Sequence, residues 1–342
     1  MTNDAKRIDV HHHILPEFYV ERLKSIGVTK ALGVDLSTFD WSPEKALEIM
    51  DKMEIETGIA SISDPGIWFA ADAEFSVSLA RACNEYMAEL RDKYPGRFGG
   101  FACIPLPDKD AALEELHYAL EELKLDGVCL MTHYNGVYLG DPGYDAVFSE
   151  LNRRKTVCFV HPIDPPVDAI PNIDLPTSVI EAPFDTTRAF ANLMLQGVLN
   201  KYPDISYILA HGGGAVPYLA WRFAAGVKYQ QKEGKPGFLR TAYDFYIKNG
   251  PESGLNDLRR LYYDTALVSG SYALDTLYSF AGPDHIVFGS DLPFAKIIAP
   301  KVADNIKRYT RFPDQDYEAI DRGNCSRLFP QFDAQLRKGE AA

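Results

Sequence analysis

The chain lacks three things, and each absence narrows what it can do. No uninterrupted apolar run in its 342 residues is long enough to cross a bilayer, which takes about 20 residues as a helix. No cluster of lysine and arginine builds a basic face. With 35 basic residues against 48 acidic ones and a net charge of −13, a nucleic-acid duplex is excluded as the main partner. Cysteine is sparse. Cys83, Cys103, Cys129, Cys158 and Cys325 are scattered without a CxxC pair, and three of them sit inside "FACIPL", "GVCLMTH" and "TVCFVHP", where a thiol serves as a small buried hydrophobe. That usage fits a reducing compartment better than a disulfide framework. The stretch "MTNDAKRIDV" also lacks the apolar core of a secretory signal. The expectation is a soluble, cytoplasmic protein with neither membrane nor nucleic acid as partner. An acidic surface gives an anionic substrate no long-range attraction, although its field fades over roughly 8 Å at physiological salt. Any cation that binds such a substrate must be local, and a metal ion would serve.

What is present is a large potential core, 46% hydrophobic and 12% aromatic. Short β-rich runs, "RIDVHH", "TGIASISDP", "FGGFACIPL", "LDGVCLMTH", "TVCFVHP", "SYILAHGGG", "RLYYDTALV" and "HIVFGSDLPF", alternate with amphipathic stretches at 75–93, 109–123, 145–154, 186–201 and 272–280. Eight strands each followed by a helix predict an α/β fold, a closed (β/α)8 TIM barrel. The chain exceeds the typical ~250 residues, leaving room for insertions over the C-terminal mouth of the barrel. No repeat, low-complexity tract or linker divides it, so residues 1–342 read as one domain. Residues 162–183 carry six prolines, which excludes a regular helix and predicts a loop, either over the barrel mouth or as a plain surface connection. Residues 228–254 are polar and read as helix or loop.

Three consecutive histidines close the first strand candidate in "RIDVHHHILP". Side chains two apart on a strand share a face, so His11 and His13 point into the barrel lumen and His12 toward the helical layer. HxH alone leaves ligand pair and ordinary polar residues equally open. The remaining chain decides. His133, His161 and His211 fall at the C-terminal ends of the fourth, fifth and sixth strand candidates, and Asp291 ends the eighth. Active sites of such barrels gather at that end, and imidazole with carboxylate is a standard ligand set for a divalent transition ion. His11, His13, His161 and Asp291 are the metal-ligand candidates.

"IDVHHH", "FVHP", "AHGGGAVPYLAWR", "YYDTAL", "FGSDLPF" and "GNCSRLFP" together resemble the amidohydrolase-related decarboxylases, the group of α-amino-β-carboxymuconate-ε-semialdehyde, γ-resorcylate and 6-methylsalicylate decarboxylases. The resemblance runs from Ile8 to Pro330, with the motifs in the family's order, and leans toward the 6-methylsalicylate and semialdehyde branches. It implies a (β/α)8 barrel, a single divalent metal on His11, His13, His161 and Asp291, nonoxidative carbon–carbon cleavage with His211 as catalytic histidine, and a homodimer. In γ-resorcylate enzymes the first ligand is a glutamate, whereas here it is His11. The fourth strand, "GVCLMTHYN", also lacks the lysine that bridges two metals in binuclear amidohydrolases, and Lys124 lies at its wrong end.

The expected reaction is decarboxylation of a salicylate-type acid by protonating the carboxyl-bearing ring carbon, with His211 or Asp291 as the acid. A hydrolase of a lactone, ester or amide, or a hydratase, is the alternative. Zinc is the first choice of metal and manganese the second. For the substrate, His133 and Tyr134 are candidate contacts, as are Trp68 and Phe69 after strand two and Arg222 in "AWRF". A structural hydrogen bond is the alternative for His133 and Tyr134, and loop packing or a subunit interface for Trp68, Phe69 and Arg222. "GGG" after His211 either cradles an anion or permits a tight turn.

Overall fold

In a computed structural model of the protein, which describes residues 7–69, 72–166, 174–230 and 255–333, every one of the eight runs contains a strand. In chain order the strands are β1 (Arg7–His13), β2 (Lys30–Ala31), β3 (Val34–Asp35), β4 (Ile55–Ser61), β5 (Phe98–Cys103), β6 (Gly127–Met131), β7 (His133–Tyr134), β8 (Val137–Tyr138), β9 (Val157–His161), β10 (Ser206–Leu209), β11 (Tyr262–Asp264) and β12 (Ile286–Val287). Eight of them pair in the order β1-β4-β5-β6-β9-β10-β11-β12, every neighbour parallel. Backbone bonds carry the sheet back to its start: Val10 N donates to Phe288 O (3.0 Å) and Asp291 N to His11 O (2.8 Å). The result is a (β/α)8 barrel. β5, β6 and β9 are buried along their whole length, as expected of parallel strands covered on both faces.

Helices occupy the connections. Ala73–Lys93 starts at Asp72, whose carboxylate accepts from Phe75 N at 2.8 Å, and Lys109–His117 starts at Asp108, which accepts from Asp110 N and Ala111 N. The second ends in a π-turn, Tyr118–Glu122. Residues 186–201 are not one helix. Gly197, at φ 74°, separates Thr177–Leu195 from Val198–Lys201.

The proline-rich expectation needs correcting. The helix begins at Thr177 and runs through Pro183, so only the part before it is irregular; residues 167–173 lie outside the described residues. A proline here removes one N–H, the partner of the Val179 carbonyl, and Val179 sits on an exposed face at 55% accessibility. Water can satisfy that carbonyl, so the helix tolerates the ring. Of the polar 228–254 stretch, the first residues complete the helix Val216–Gln230 and 231–254 lie outside the described residues.

The lumen is plugged below its C-terminal end. Phe101 and Phe159 stack with ring centroids 5.5 Å apart, and the His11 ring stands edge-on to Phe159 at 5.0 Å. Packing around β6 is equally tight. A Cβ on Gly127 would lie 2.4 Å from the Val157 carbonyl oxygen and 3.0 Å from the Phe101 ring. Because a strand carbonyl cannot retreat without losing its ladder, Gly127→Ala should destabilise the barrel by about 2 kcal/mol or more. A lowered urea midpoint with unchanged slope is the expected result.

Candidate metal centre

β1 brings two imidazoles to the lumen as the alternation requires. The His11 and His13 rings are 4.8 Å apart, and the His161 ring, from the end of β9, lies 5.1 and 4.6 Å from them. Asp291, just beyond β12, completes the group: its Oδ1 is 3.4 Å from both His11 Nε2 and His13 Nε2. One ligand-capable atom from each of the four residues falls within 4.8 Å of all the others. His12 turns away, with Nδ1 3.1 Å from Asp9 Oδ2. One extra β1 residue between Asp9 and His12, opposite β4, makes a bulge there.

The outward nitrogens of these rings are already engaged. His11 Nδ1 meets Asp264 Oδ2 at 2.6 Å, and His13 Nδ1 meets Ser61 Oγ at 2.9 Å. That leaves His11 Nε2 and His13 Nε2, together with His161 Nδ1, buried without a hydrogen-bond partner. An unpaired buried polar atom costs about 1–3 kcal/mol, and three beside a carboxylate are relieved at once by a shared cation. Two ligands each about 2.1 Å from one ion in a tetrahedral arrangement are separated by roughly 3.4 Å, the spacing Asp291 Oδ1 keeps from His11 Nε2 and His13 Nε2. The donor set and its geometry fit a divalent ion.

Electrostatics point the same way. Burial alone would depress the His11 imidazole, yet the carboxylates of Asp264 and Asp291 outweigh it and raise His11 to about 10. His13, where burial dominates, falls to about 4, and His161 lies well below its ordinary value through burial and the neighbouring imidazoles. Although burial opposes ionisation of Asp291, the His11 charge and the two imidazole contacts hold it well below the usual carboxylate range. The pocket therefore demands positive charge, supplied by a proton or by a cation.

Asp264 is the residue that reading the strand ends missed. It closes "YYD", the seventh strand, and the same rule that singled out His161 and Asp291 applies to it. Its Oδ1 accepts from the backbone N–H of His211 (2.8 Å) and of Ala266 (3.0 Å), so one carboxylate orients His11 and anchors the His211 turn. His211 Nδ1 lies 3.3 Å from the Ala266 carbonyl, and its ring is 4.8 Å from that of His11. Burial, then the His11 charge, hold its pKa below the ordinary imidazole value. His211 and Asp291 both take left-handed backbone angles, φ 55° and 59°, a strained state for residues other than glycine. The glycines after His211 serve close packing. A Cβ on Gly214 would meet the Pro183 carbonyl at 2.0 Å, and one on Gly213 the Tyr263 ring at 2.7 Å.

Above this floor opens a cavity of about 1010 Å³ to which His161, His211 and Asp291 contribute. Its walls come from Ala31, Leu32, Val34 and Phe39 on the first loop, Val179 and Pro183 on the helix Thr177–Leu195, Leu267 and Val268 after β11, and the segment Phe294 to Ile298 after β12. Phe39 and Phe294 meet edge to face at 4.7 Å, and Phe294 lies 5.4 Å from the His13 ring. Trp68, Phe69, His133, Tyr134 and Arg222, the substrate-contact candidates, are not among its lining residues. Trp68 and Phe69 pack against the core. His133 Nε2 is 3.1 Å from the Asp164 carbonyl, Tyr134 accepts from Met131 N at 3.2 Å, and Arg222 is exposed on the helix Val216–Gln230.

Replacing Asp264 with alanine frees His11 to rotate and should weaken retention of a divalent ion about 10–100-fold. Competition with a chromophoric chelator measures this directly; unchanged affinity would show that Asp264 does not orient the ligand.

Three comparisons bear on this geometry. Decarboxylase yanB of Aspergillus niger is 37% identical over 356 residues, covering 98% of this chain and 90% of its own. The 6-methylsalicylic acid decarboxylase acuB of Aspergillus aculeatus is 35% identical over 350 residues, with 98% of each chain covered. Among solved structures, a dihydroxybenzoic acid decarboxylase of Polaromonas sp. JS666, with bound manganese and the inhibitor 2-nitroresorcinol, matches with a TM-score of 0.73 at 22% identity, over 95% of this chain and 97% of that one, which speaks to fold alone. The Amidohydrolase family profile matches residues 8–331, and with these relatives it establishes that the chain belongs to that family.

Proposed function

We propose that the protein is a metal-dependent, nonoxidative decarboxylase of a hydroxylated aromatic carboxylic acid, with 6-methylsalicylate-like acids first among its substrates. The observation that carries this reading is the convergence of four ligand-capable atoms, with His211 beside them, at the floor of a largely apolar cavity. The names of the relatives support carbon–carbon cleavage over the hydrolase or hydratase alternative. In this reading His11, His13, His161 and Asp291 hold one divalent ion. Three nitrogens and one oxygen suit zinc, and the manganese of the Polaromonas enzyme keeps that ion second. Such an ion, when bound, supplies Lewis-acid charge that favours the ionised ortho-hydroxyl and fixes the ring.

The residues then have to deliver a proton to carbon. Loss of CO2 from an intact aromatic acid would leave an aryl anion whose lone pair lies in the ring plane, beyond the reach of the π-system. Protonating the carboxyl-bearing carbon first avoids it. Asp291, held ionised, is a poor resting acid. His211, with Nδ1 facing the Ala266 carbonyl and its pKa lowered, rests neutral at Nε2. It accepts the ortho-hydroxyl proton and passes it to the ring carbon. The carbon–carbon bond then breaks, its electron pair restores the aromatic ring, CO2 departs, and the phenolate recovers a proton from water. The apolar walls make the surroundings of that carbon unfavourable for water.

The reading extends to one domain across residues 1–342 and a homodimer, which sedimentation would test. Five free, buried cysteines support a reducing, cytoplasmic setting. Among the described residues no helix is long and apolar enough to cross a membrane.

Assaying CO2 release over a panel of ortho-hydroxybenzoates, beside hydrolysis of a lactone panel, tests the central reading. Turnover of the acids is expected, and turnover of the lactones alone would overturn it. His211→Asn should retain its metal on elemental analysis yet lose about 10²–10⁴-fold in kcat.

A further inference from the structure

The cavity raises a charge problem that the floor does not solve. A formal +2 ion at the His11 cluster is offset by two carboxylates, Asp291 at 3.4 Å from both Nε2 atoms and Asp264 behind His11. The chain around it carries a net charge of −13. An aromatic carboxylate approaching this site meets little attraction from the protein unless the walls provide it. Among the described lining residues the cations are Lys296 and Lys301.

The two differ. Lys301 is 68% exposed with its ammonium 4.0 Å from Asp304, so its charge is shared and screened. Lys296 lies on the segment that climbs the wall from the floor to the rim. Asp291 is buried at 8% exposure, Phe294 and Lys296 are half-buried, and Ile297, the next residue, is 87% exposed. Among the described residues its ammonium makes no hydrogen bond or ion pair. The nearby Asp40, which shares a small cleft with it, is taken by Lys45 at 2.5 Å. The Lys296 charge still reaches Asp40, but that carboxylate is exposed and already bound to Lys45, so a half-buried ammonium flanked by Phe294 and Ile297 keeps more of its field than an exposed lysine does.

We propose that Lys296 is the charge-selecting residue of this cavity, drawing in and retaining the ring carboxylate of the substrate. It is a positioning residue and takes no part in proton transfer. The inference rests on the decarboxylase reading for the identity of the anion, and on the wall geometry for the residue.

Calorimetric binding of benzoate and of its neutral isostere benzamide to the metal-loaded protein separates charge recognition from ring packing. The wild type should favour benzoate. Lys296→Met should weaken benzoate by about tenfold while leaving benzamide within about twofold, and Lys296→Arg should restore benzoate binding. In turnover the loss should appear in KM with kcat retained, and should shrink as salt is raised. Equal weakening of both ligands, no weakening of benzoate, or a wild type indifferent to the carboxylate would overturn the proposal. If no acid releases CO2 but the benzoate preference follows Lys296, the decarboxylase reading fails and the charge-selecting role stands.

Discussion

The contact between Asp264 and His11 organises the rest of the site. A carboxylate 2.6 Å from Nδ1 sets which imidazole nitrogen faces the lumen. The same side chain binds the backbone of His211 and Ala266 through its other oxygen. Ligand face and candidate acid are thus registered to each other by one residue at the end of one strand. Its burial is complete, so the hydrogen bonds operate without competition from water.

Much of this was legible from the chain. Period-two alternation put His11 and His13 on one face, and the position of His161 and Asp291 at strand ends brought them to the same rim, because parallel strands in a barrel all end on one side. Asp264, the last residue of β11, obeys the same rule. Other features had no local signal. The bulge between Asp9 and His12 depends on register against β4, which no single strand encodes. Pro183 inside a helix runs against backbone propensity, and solvent exposure of the preceding turn overrides it.

Trp68, Phe69, His133, Tyr134 and Arg222 stand outside the cavity lining for a physical reason. Trp68 and Phe69 follow the second strand run and Arg222 belongs to "AWRF", but a side chain's direction beyond a strand is set by the loop or helix that carries it. Arg222 lies a turn and a half into the helix Val216–Gln230, on an outward face. The walls instead come from segments with little to distinguish them in sequence, such as the first loop with Leu32 and Phe39. Apolar residues in loops read as ordinary packing until a cavity is seen between them.

The cavity has a stiff floor of strand ends and walls of loop and helix termini. Substitutions in the walls leave the barrel ladder intact and, Phe294 aside, stand clear of the imidazole cluster, whereas changes in the floor strike both together. Natural variation can therefore reshape what enters without dismantling the apparatus beneath, so lineages sharing this scaffold are free to diverge in diet while inheriting one machine.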